Sequence, residues 1–171
     1  MEEIEEIHIG KLLQKRIEEE GIREKWMAEK MNCSASKISR LYQHKSMHTD
    51  TLIEICMHLE YNFFDHYVEY VDKQIEKENR LLLHKLIKNG IHIGEIIHKV
   101  EKEEGKKSKW VADQIHRSPN DMQDIYKRKN MDNDLLVDIC KCLKYNFFKL
   151  YADYTNEQLN KKGWNIILLN E

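Results

Sequence analysis

The sequence contains very little proline and glycine. Pro119 is its only proline, and it has six glycines among 171 residues. Because these two residue types mark tight turns and loops, their scarcity argues against long loops and against a fold made of many short strands. A hydrophobic content of 41% and a charged content of 34% fit a soluble, helix-rich chain. The expected fold class is therefore all-α.

Long apolar runs are also missing. No stretch approaches the roughly 20 apolar residues that span a bilayer. The chain begins with MEEIEEIHIG, which is acidic and lacks the basic start of a signal peptide. These features predict a cytoplasmic protein without a membrane partner.

Sites for metals, cofactors or catalysis are not evident in the sequence. It has no Gly-rich phosphate loop, no G-x-S-x-G and no H-E-x-x-H, so we expect neither an enzyme nor a cofactor. His44 and His48 have the spacing of a helical metal pair, but a helix break is expected between them. Cys56 and Cys140 are interpreted as core thiols and Cys142 as an exposed one, with metal or redox sensing as the alternative.

The chain repeats itself. Residues 7–70 align with residues 91–154 at a constant offset of 84, without a gap, and 26 of the 64 aligned positions are identical. Such self-similarity indicates a duplicated structural unit. The predicted organisation is a first domain at 1–70, a helical linker at 71–90, a second domain at 91–154 and an apolar C-terminal tail at 155–171. The tail is expected to pack on Leu81, Leu82, Leu83 and Leu86 or on another chain.

Each copy contains a segment that predicts two short helices around a tight turn, Lys25–Lys45 in the first and Lys109–Lys129 in the second. At the turn stand Asn32 and His116, residue types that tolerate the left-handed conformation. A serine, the favoured N-cap, then precedes the second helix of each pair. The first helix of each pair carries a tryptophan, Trp26 or Trp110, which is expected to lie in the core.

The charge is unevenly distributed. The net charge of −2 argues weakly against nucleic-acid binding. The two-helix segments, however, are basic: residues 24–48 carry +3 and residues 106–130 carry +4. Local positive charge attracts a phosphate backbone whatever the total charge.

These features resemble the phage-repressor/Cro-like helix-turn-helix domain, often called the XRE family. The resemblance rests on Ile9-Gly10, on the mid-motif Ala28 or Ala112, on the turn, and on a closing L-x-x-x-FF-x-x-Y that begins at Leu59 or Leu143. It covers residues 7–70 and 91–154. Each of these copies is similar to single-domain regulators of Bacteroides-like bacteria. It implies two compact five-helix domains that bind double-stranded DNA through helix 3. Most members carry one such domain and pair as homodimers.

The resemblance and the outward faces together predict the DNA-contacting residues. In this docking mode helix 3 enters the major groove. Arginine suits guanine and Asn or Gln suits adenine, whereas basic residues and N-cap hydroxyls hold phosphates. The residues assigned to bases are Arg40, Gln43, Asn120 and Gln123; those assigned to phosphates are Ser34, Lys45, Ser118, Arg128 and Lys129; the remaining candidates on the same faces are Ser36, Lys37, Ser39, His44 and Lys127.

Two questions stay open at this point. Asp121 and Asp124 place carboxylates on the second recognition helix; Asp121 is explained as a capping residue, but Asp124 is not. The second copy is therefore either a DNA-binding domain or a dimerisation or partner-binding domain. The leading hypothesis is a repressor that acts as a covalent pseudo-dimer or as a homodimer through linker and tail. The rival is a protein-interaction or antitoxin-like module.

Overall fold

A computed structural model describes residues 6–75 and 90–168 of the chain, with the backbone alone for residues 163–168. These residues form ten α-helices and no β-strand, which confirms the predicted all-α class for the described part of the chain. The first five helices are α1 Ile9–Glu19, α2 Glu24–Lys30, α3 Ala35–Leu41, α4 Thr49–Leu59 and α5 Phe64–Asp72. The second five are α6 Ile93–Glu103, α7 Ser108–Gln114, α8 Pro119–Tyr126, α9 Asn133–Leu143 and α10 Phe148–Leu168.

Each helix of the second set begins at the residue that the sequence alignment pairs with the first residue of its counterpart. Helices α1 and α6 are each followed by a C-cap glutamate and then by a glycine, Gly21 or Gly105, with φ of +64° and +63°. Glycine adopts this left-handed conformation at little cost and stops a helix there. Glu60 and Lys144 adopt the same conformation after α4 and α9, which the sequence did not indicate.

A continuous apolar core runs through both sets of helices. Cys56 of α4 and Cys140 of α9 are both buried in it, at 0% exposure. The two Phe-Phe pairs are buried as well, at positions 63–64 and 147–148. Both cysteines have a raised pKa, to about 12, because burial disfavours the thiolate. The structure thus confirms them as core thiols.

Some predicted placements are wrong. Trp26 and Trp110 are each 39% exposed, because the neighbouring Met27 or Val111 and the following alanine occupy the buried face of these seven-residue helices. Cys142, expected to be exposed, is half-buried and packed on the core.

The connection between the two sets is described only at its ends. Helix α5 ends at Asp72, two residues into the predicted linker, and a turn leads from it to the buried Ile75. The rest of the predicted helical linker, with the leucines at 81–83 and 86, lies outside the described residues. The predicted start of the tail, at residue 155, falls inside α10. Among the described helices none is long and apolar enough to cross a membrane.

Candidate nucleic-acid interface

A tight turn connects α2 to α3. Asn32 adopts φ +47° there, as the residue type predicted, and the backbone N–H of Cys33 donates to the carbonyl of Ala28 at 2.8 Å. Ser34 then caps α3, because its hydroxyl accepts from the N–H of Lys37 at 3.3 Å. The left-handed residue reverses the chain and the cap fixes where the next helix starts.

The corresponding turn between α7 and α8 has the same construction. His116 adopts φ +54°, and the N–H of Arg117 donates to the carbonyl of Ala112 at 2.9 Å. Ser118 and Asp121 form a reciprocal capping box, with bonds of 3.2 and 2.8 Å. Pro119 occupies the first turn, where its missing N–H costs nothing. Helix α8 is therefore the better-capped of the two.

The start of α1 lies against the end of α3 and is bonded to the loop after it. The N–H groups of Ile9 and Gly10 donate to the carbonyls of Lys45 and His44 at 3.1 and 3.0 Å. A Cβ on Gly10 would lie 2.4 Å from the Leu41 carbonyl oxygen, so only glycine allows this approach. In the second half of the molecule, which is α6–α10, a Cβ on Gly94 would lie 2.2 Å from the Ile125 carbonyl oxygen.

His8 and His92 begin these helices as side-chain caps. The Nδ1 atom of His8 accepts from the N–H of Lys11 at 3.3 Å, and that of His92 accepts from Glu95 at 3.4 Å. Both histidines therefore have a structural role at the start of a helix.

All fourteen predicted DNA-contacting side chains are exposed. In the first half they lie on α3, on its cap and in the loop after it: Ser34, Ser36, Lys37, Ser39, Arg40, Gln43, His44 and Lys45. In the second half they lie at the corresponding places around α8: Ser118, Asn120, Gln123, Lys127, Arg128 and Lys129. Opposite them, Ile38, Met122 and Ile125 are buried, so the buried side of each helix fixes which side faces solvent.

Two side chains on the α3 face already have protein partners. The Ser39 hydroxyl donates to Glu24 Oε2 at 2.8 Å, so α2 helps to orient it. The Arg40 Nε donates to the Ser36 carbonyl oxygen at 3.2 Å, which lays the side chain along its own helix. The remaining guanidinium N–H groups of Arg40 can donate to an external acceptor.

Lys45 forms an ion pair with Glu6. The hydrogen bond and the charge of Glu6 raise the pKa of Lys45, and the same bond lowers the pKa of Glu6. Both groups are solvent-exposed, so the pair is screened and easily exchanged. No pattern in the sequence indicated that this lysine would meet the acidic N-terminal segment.

On the α8 face the two aspartates have separate explanations. Asp121 is a capping residue, as predicted, and its bonds to Ser118 lower its pKa. The Oδ1 atom of Asp124 lies 3.4 Å from the Nζ atom of Lys127 in an exposed ion pair. Like the Lys45–Glu6 pair, this ion pair is solvent-exposed and therefore screened and easily exchanged.

The exposed tryptophans are the residues that sequence reasoning missed. In each half a lysine ammonium lies over the indole, with Lys30 at 5.6 Å from the centroid of Trp26 and Lys106 at 4.6 Å from that of Trp110. Their repeated position was visible in the sequence, but it is equally compatible with a core role. Amphipathic indoles of this kind are enriched at interfaces, where one end is apolar and the other is wet.

In the part of the chain that the structure describes, no cluster of three or more His, Cys, Asp or Glu side chains is arranged to hold a metal ion. His44 lies after the end of α3, whereas His48 is the N-cap of α4. The predicted helix break between them is therefore confirmed.

Two short helices joined by a tight turn, the second with an exposed polar face, define a helix-turn-helix. Residues 12–65 match the family model of the Cro/C1-type HTH DNA-binding domain. This span runs from α1 into α5 and includes the whole of α2, the turn and α3. Comparisons with curated proteins and with solved structures gave no match.

Proposed function

We propose that this protein is a sequence-specific, double-stranded-DNA-binding transcriptional regulator, and that it acts as a repressor. The observation that carries the proposal is the Cro/C1-type HTH domain at residues 12–65, whose α3 presents a basic and polar face to solvent. Repression is favoured over activation because the two sets of helices leave no separate effector domain among the described residues.

The proposal extends to residues 91–154 as a second domain of the same kind, after residues 1–70 as the first, a linker at 71–90 and a tail at 155–171. Three features support it. Helix starts recur at the offset of the sequence repeat, the turn residue His116 has the conformation of Asn32, and Ser118 caps α8 as Ser34 caps α3. Helix α8 would then be the second recognition helix.

In this proposal each face has some residues that contact bases and others that contact phosphates. Arg40 and Gln43, with Asn120 and Gln123, contact base edges, which specify sequence. The serine N-caps and the lysines and arginines around each helix hold phosphates, which set the position of the protein. Because Lys45 is paired with Glu6 and Lys127 with Asp124, a phosphate competes with a carboxylate at these two residues.

The proposal is tested by selection from a randomised duplex pool, followed by fluorescence anisotropy on the selected duplex. Arg40→Ala removes a base-contacting guanidinium, so we expect the affinity to fall by about tenfold or more, the worth of a lost bidentate contact. Arg128→Ala should weaken binding less and more uniformly across sequences. Lys99→Ala, exposed on α6, is the control and should bind normally.

No enrichment from the pool, or equal affinity of Arg40→Ala and the wild-type protein, would contradict the proposal. The first result would favour a second candidate function, a protein-interaction or antitoxin-like module that keeps the fold. The observation behind that candidate is Asp124, an exposed carboxylate on the helix that would enter a negatively charged groove. Co-purification with one protein and no retention on DNA would support it.

A further inference from the structure

His48 and Asp132 form an antiparallel backbone bridge. The sequence alignment of the two copies pairs these same two residues, so they are counterparts in the repeat. A residue can pair with its own counterpart in this way only on a two-fold axis. The bridge therefore marks an axis that relates α1–α5 to α6–α10.

The backbone bonds on either side of the bridge obey the same axis. The N–H of Thr49 donates to the Met131 carbonyl at 2.9 Å, and the N–H of Asn133 donates to the Met47 carbonyl at 3.1 Å. Replacing each residue of the first bond by its counterpart in the repeat gives the second. Thr49 and Asn133 are fully buried, so these bonds lie inside the junction.

Stacked aromatic rings repeat the relation further from the bridge. Phe64 stacks on Tyr151 with centroids 5.1 Å apart, and Tyr67 stacks on Phe148 at 4.5 Å. Phe64 corresponds to Phe148 and Tyr67 corresponds to Tyr151. Each half thus supplies the same two rings to the other.

Buried asparagines complete the pattern. The Nδ2 atom of Asn62 donates to the Ala152 carbonyl at 3.1 Å, and that of Asn146 donates to the Val68 carbonyl at 3.0 Å. These pairs also exchange when each residue is replaced by its counterpart. Contacts in which i meets j and j meets i define an isologous interface, the kind that joins two copies in a symmetric dimer.

The two halves of one chain therefore pack against each other through this self-complementary surface. Covalent connection gives the two halves an effective concentration of the order of millimolar, so they stay together at protein concentrations at which a separate pair would dissociate. The two helix-turn-helix units are held at a fixed separation about the axis, which is the arrangement that duplex DNA, with its own local two-fold axes, can accept.

The faces placed by this axis are chemically different. At the six outward positions of α3 stand Ser36, Lys37, Ser39, Arg40, Gln43 and His44; at the equivalent positions of α8 stand Asn120, Asp121, Gln123, Asp124, Lys127 and Arg128. No position is identical between the two faces. A symmetric frame with unlike faces cannot have a palindrome as its preferred site.

We infer that one chain binds one duplex as an intramolecular pseudo-dimer and recognises two unlike half-sites about one helical turn, roughly 34 Å, apart. The inference rests on the proposed function. It adds the form of the DNA site, its fixed orientation and the number of chains on it. Homodimerisation through linker and tail is the alternative that the test must exclude.

The test is a face exchange followed by selection from a randomised duplex pool. The variant gives α8 the α3 face while it keeps the capping residue Asp121: Asn120→Ser, Gln123→Ser, Asp124→Arg, Lys127→Gln and Arg128→His. The wild-type protein should select two unlike half-sites. The variant should select the α3 half-site twice, in inverted orientation.

The matched control is the reverse exchange on α3, with Ser36→Asn, Ser39→Gln, Arg40→Asp, Gln43→Lys and His44→Arg. It should leave the α8 half-site unchanged and replace the other. All exchanged residues are exposed, and an unchanged melting transition verifies that each variant folds. If one variant fails to fold, the other still tests the inference.

Light scattering after size exclusion supplies the number of chains. The free protein should have a mass near 20.7 kDa, and the complex should contain one chain per duplex. Two chains per duplex, a palindromic site for the wild-type protein, or a site that the α8 exchange does not alter would each overturn the inference and leave DNA binding by α3 intact. No enrichment by the wild-type protein would instead refute the proposed function.

Discussion

The single hydrogen that Gly10 carries as a side chain points at three converging carbonyl oxygens from the end of α3 and the loop after it. Any larger side chain would push α1 away from these carbonyl groups and would break the two backbone bonds between α1 and the loop after α3. The resemblance included this glycine as a family residue. Its physical reason, a close approach between helices, became evident only from the packing.

Replacing Gly10 by alanine should destabilise the protein by about 1–3 kcal/mol, the usual cost of overpacking a close contact. Urea denaturation measures the change in the free energy of unfolding. Lys11→Ala, at the next and exposed position, should change it by no more than about 0.5 kcal/mol. Equal stability of Gly10→Ala and Lys11→Ala would contradict the packing argument.

Glu101 is the one charged residue buried in the described core, at 2% exposure. The hydroxyl of Tyr126 donates to it, and burial together with this carboxylate raises the pKa of Tyr126. In the first half the equivalent pair is Ile17 and Tyr42. The same buried position therefore holds a carboxylate in the second half and an apolar side chain in the first.

Tyr126→Phe should destabilise the protein by about 1–3 kcal/mol, because it leaves the buried carboxylate without this donor. Adding Glu101→Ile, which supplies the residue found at position 17, should recover most of the loss, since removing both polar partners is close to neutral. Thermal and urea denaturation measure both steps. A double variant no more stable than Tyr126→Phe would contradict the assignment.

At the scale of the helix, the caps show what local sequence can predict. Ser34 and Ser118 cap α3 and α8 as expected, and Asn32 and His116 take the left-handed conformation. These features depend on a few neighbouring residues, so a short pattern specifies them. The exposed tryptophans were mispredicted because smaller neighbours on α2 and α7 fill the buried face, a choice that depends on packing rather than on local pattern.

The capping box makes a pH-dependent contribution. Since the folded state lowers the pKa of Asp121, its carboxylate stabilises α8 above its ordinary pKa of 3.8. That contribution is lost as the pH falls below this value. Asp121→Ala should therefore be less stable than the wild-type protein near neutral pH, and the difference should shrink in acid.

Urea denaturation of both proteins across this range measures the difference. Asp124→Ala, on the same helix but outside the cap, is the control and should show a smaller effect near neutral pH. A wild-type advantage over Asp121→Ala that stays constant from neutral pH to well below its ordinary pKa would rule out the capping contribution.

At the scale of the whole molecule, the junction between the halves is what the sequence could not show. The repeat predicted two units. Nothing in the repeat separates residues kept for the core of each half, such as Phe63, from residues kept for contacts between halves, such as Asn62. Only the reciprocal pairing of repeat-related positions across the junction makes that distinction.

Because one apolar core runs through both halves, we expect the described helices to unfold in a single cooperative transition. Asn62→Ala should lower its midpoint, because the Asn62 amide bonds the opposite half and about 1–3 kcal/mol is lost when such buried partners are left unpaired. Differential scanning calorimetry measures the number of transitions in the wild-type protein and the midpoint for each protein. Two separate transitions in the wild-type protein would contradict a shared core.

The central claim is that the basic helix-turn-helix faces bind duplex DNA despite a net charge of −2. The most direct measurement is the affinity for the selected duplex as a function of salt, by fluorescence anisotropy. Counterion release predicts a linear fall of log K with log salt, amounting to about a thousandfold between roughly 50 and 200 mM if six phosphates are neutralised. Affinity that does not change with salt, or no binding at low salt, would contradict the account.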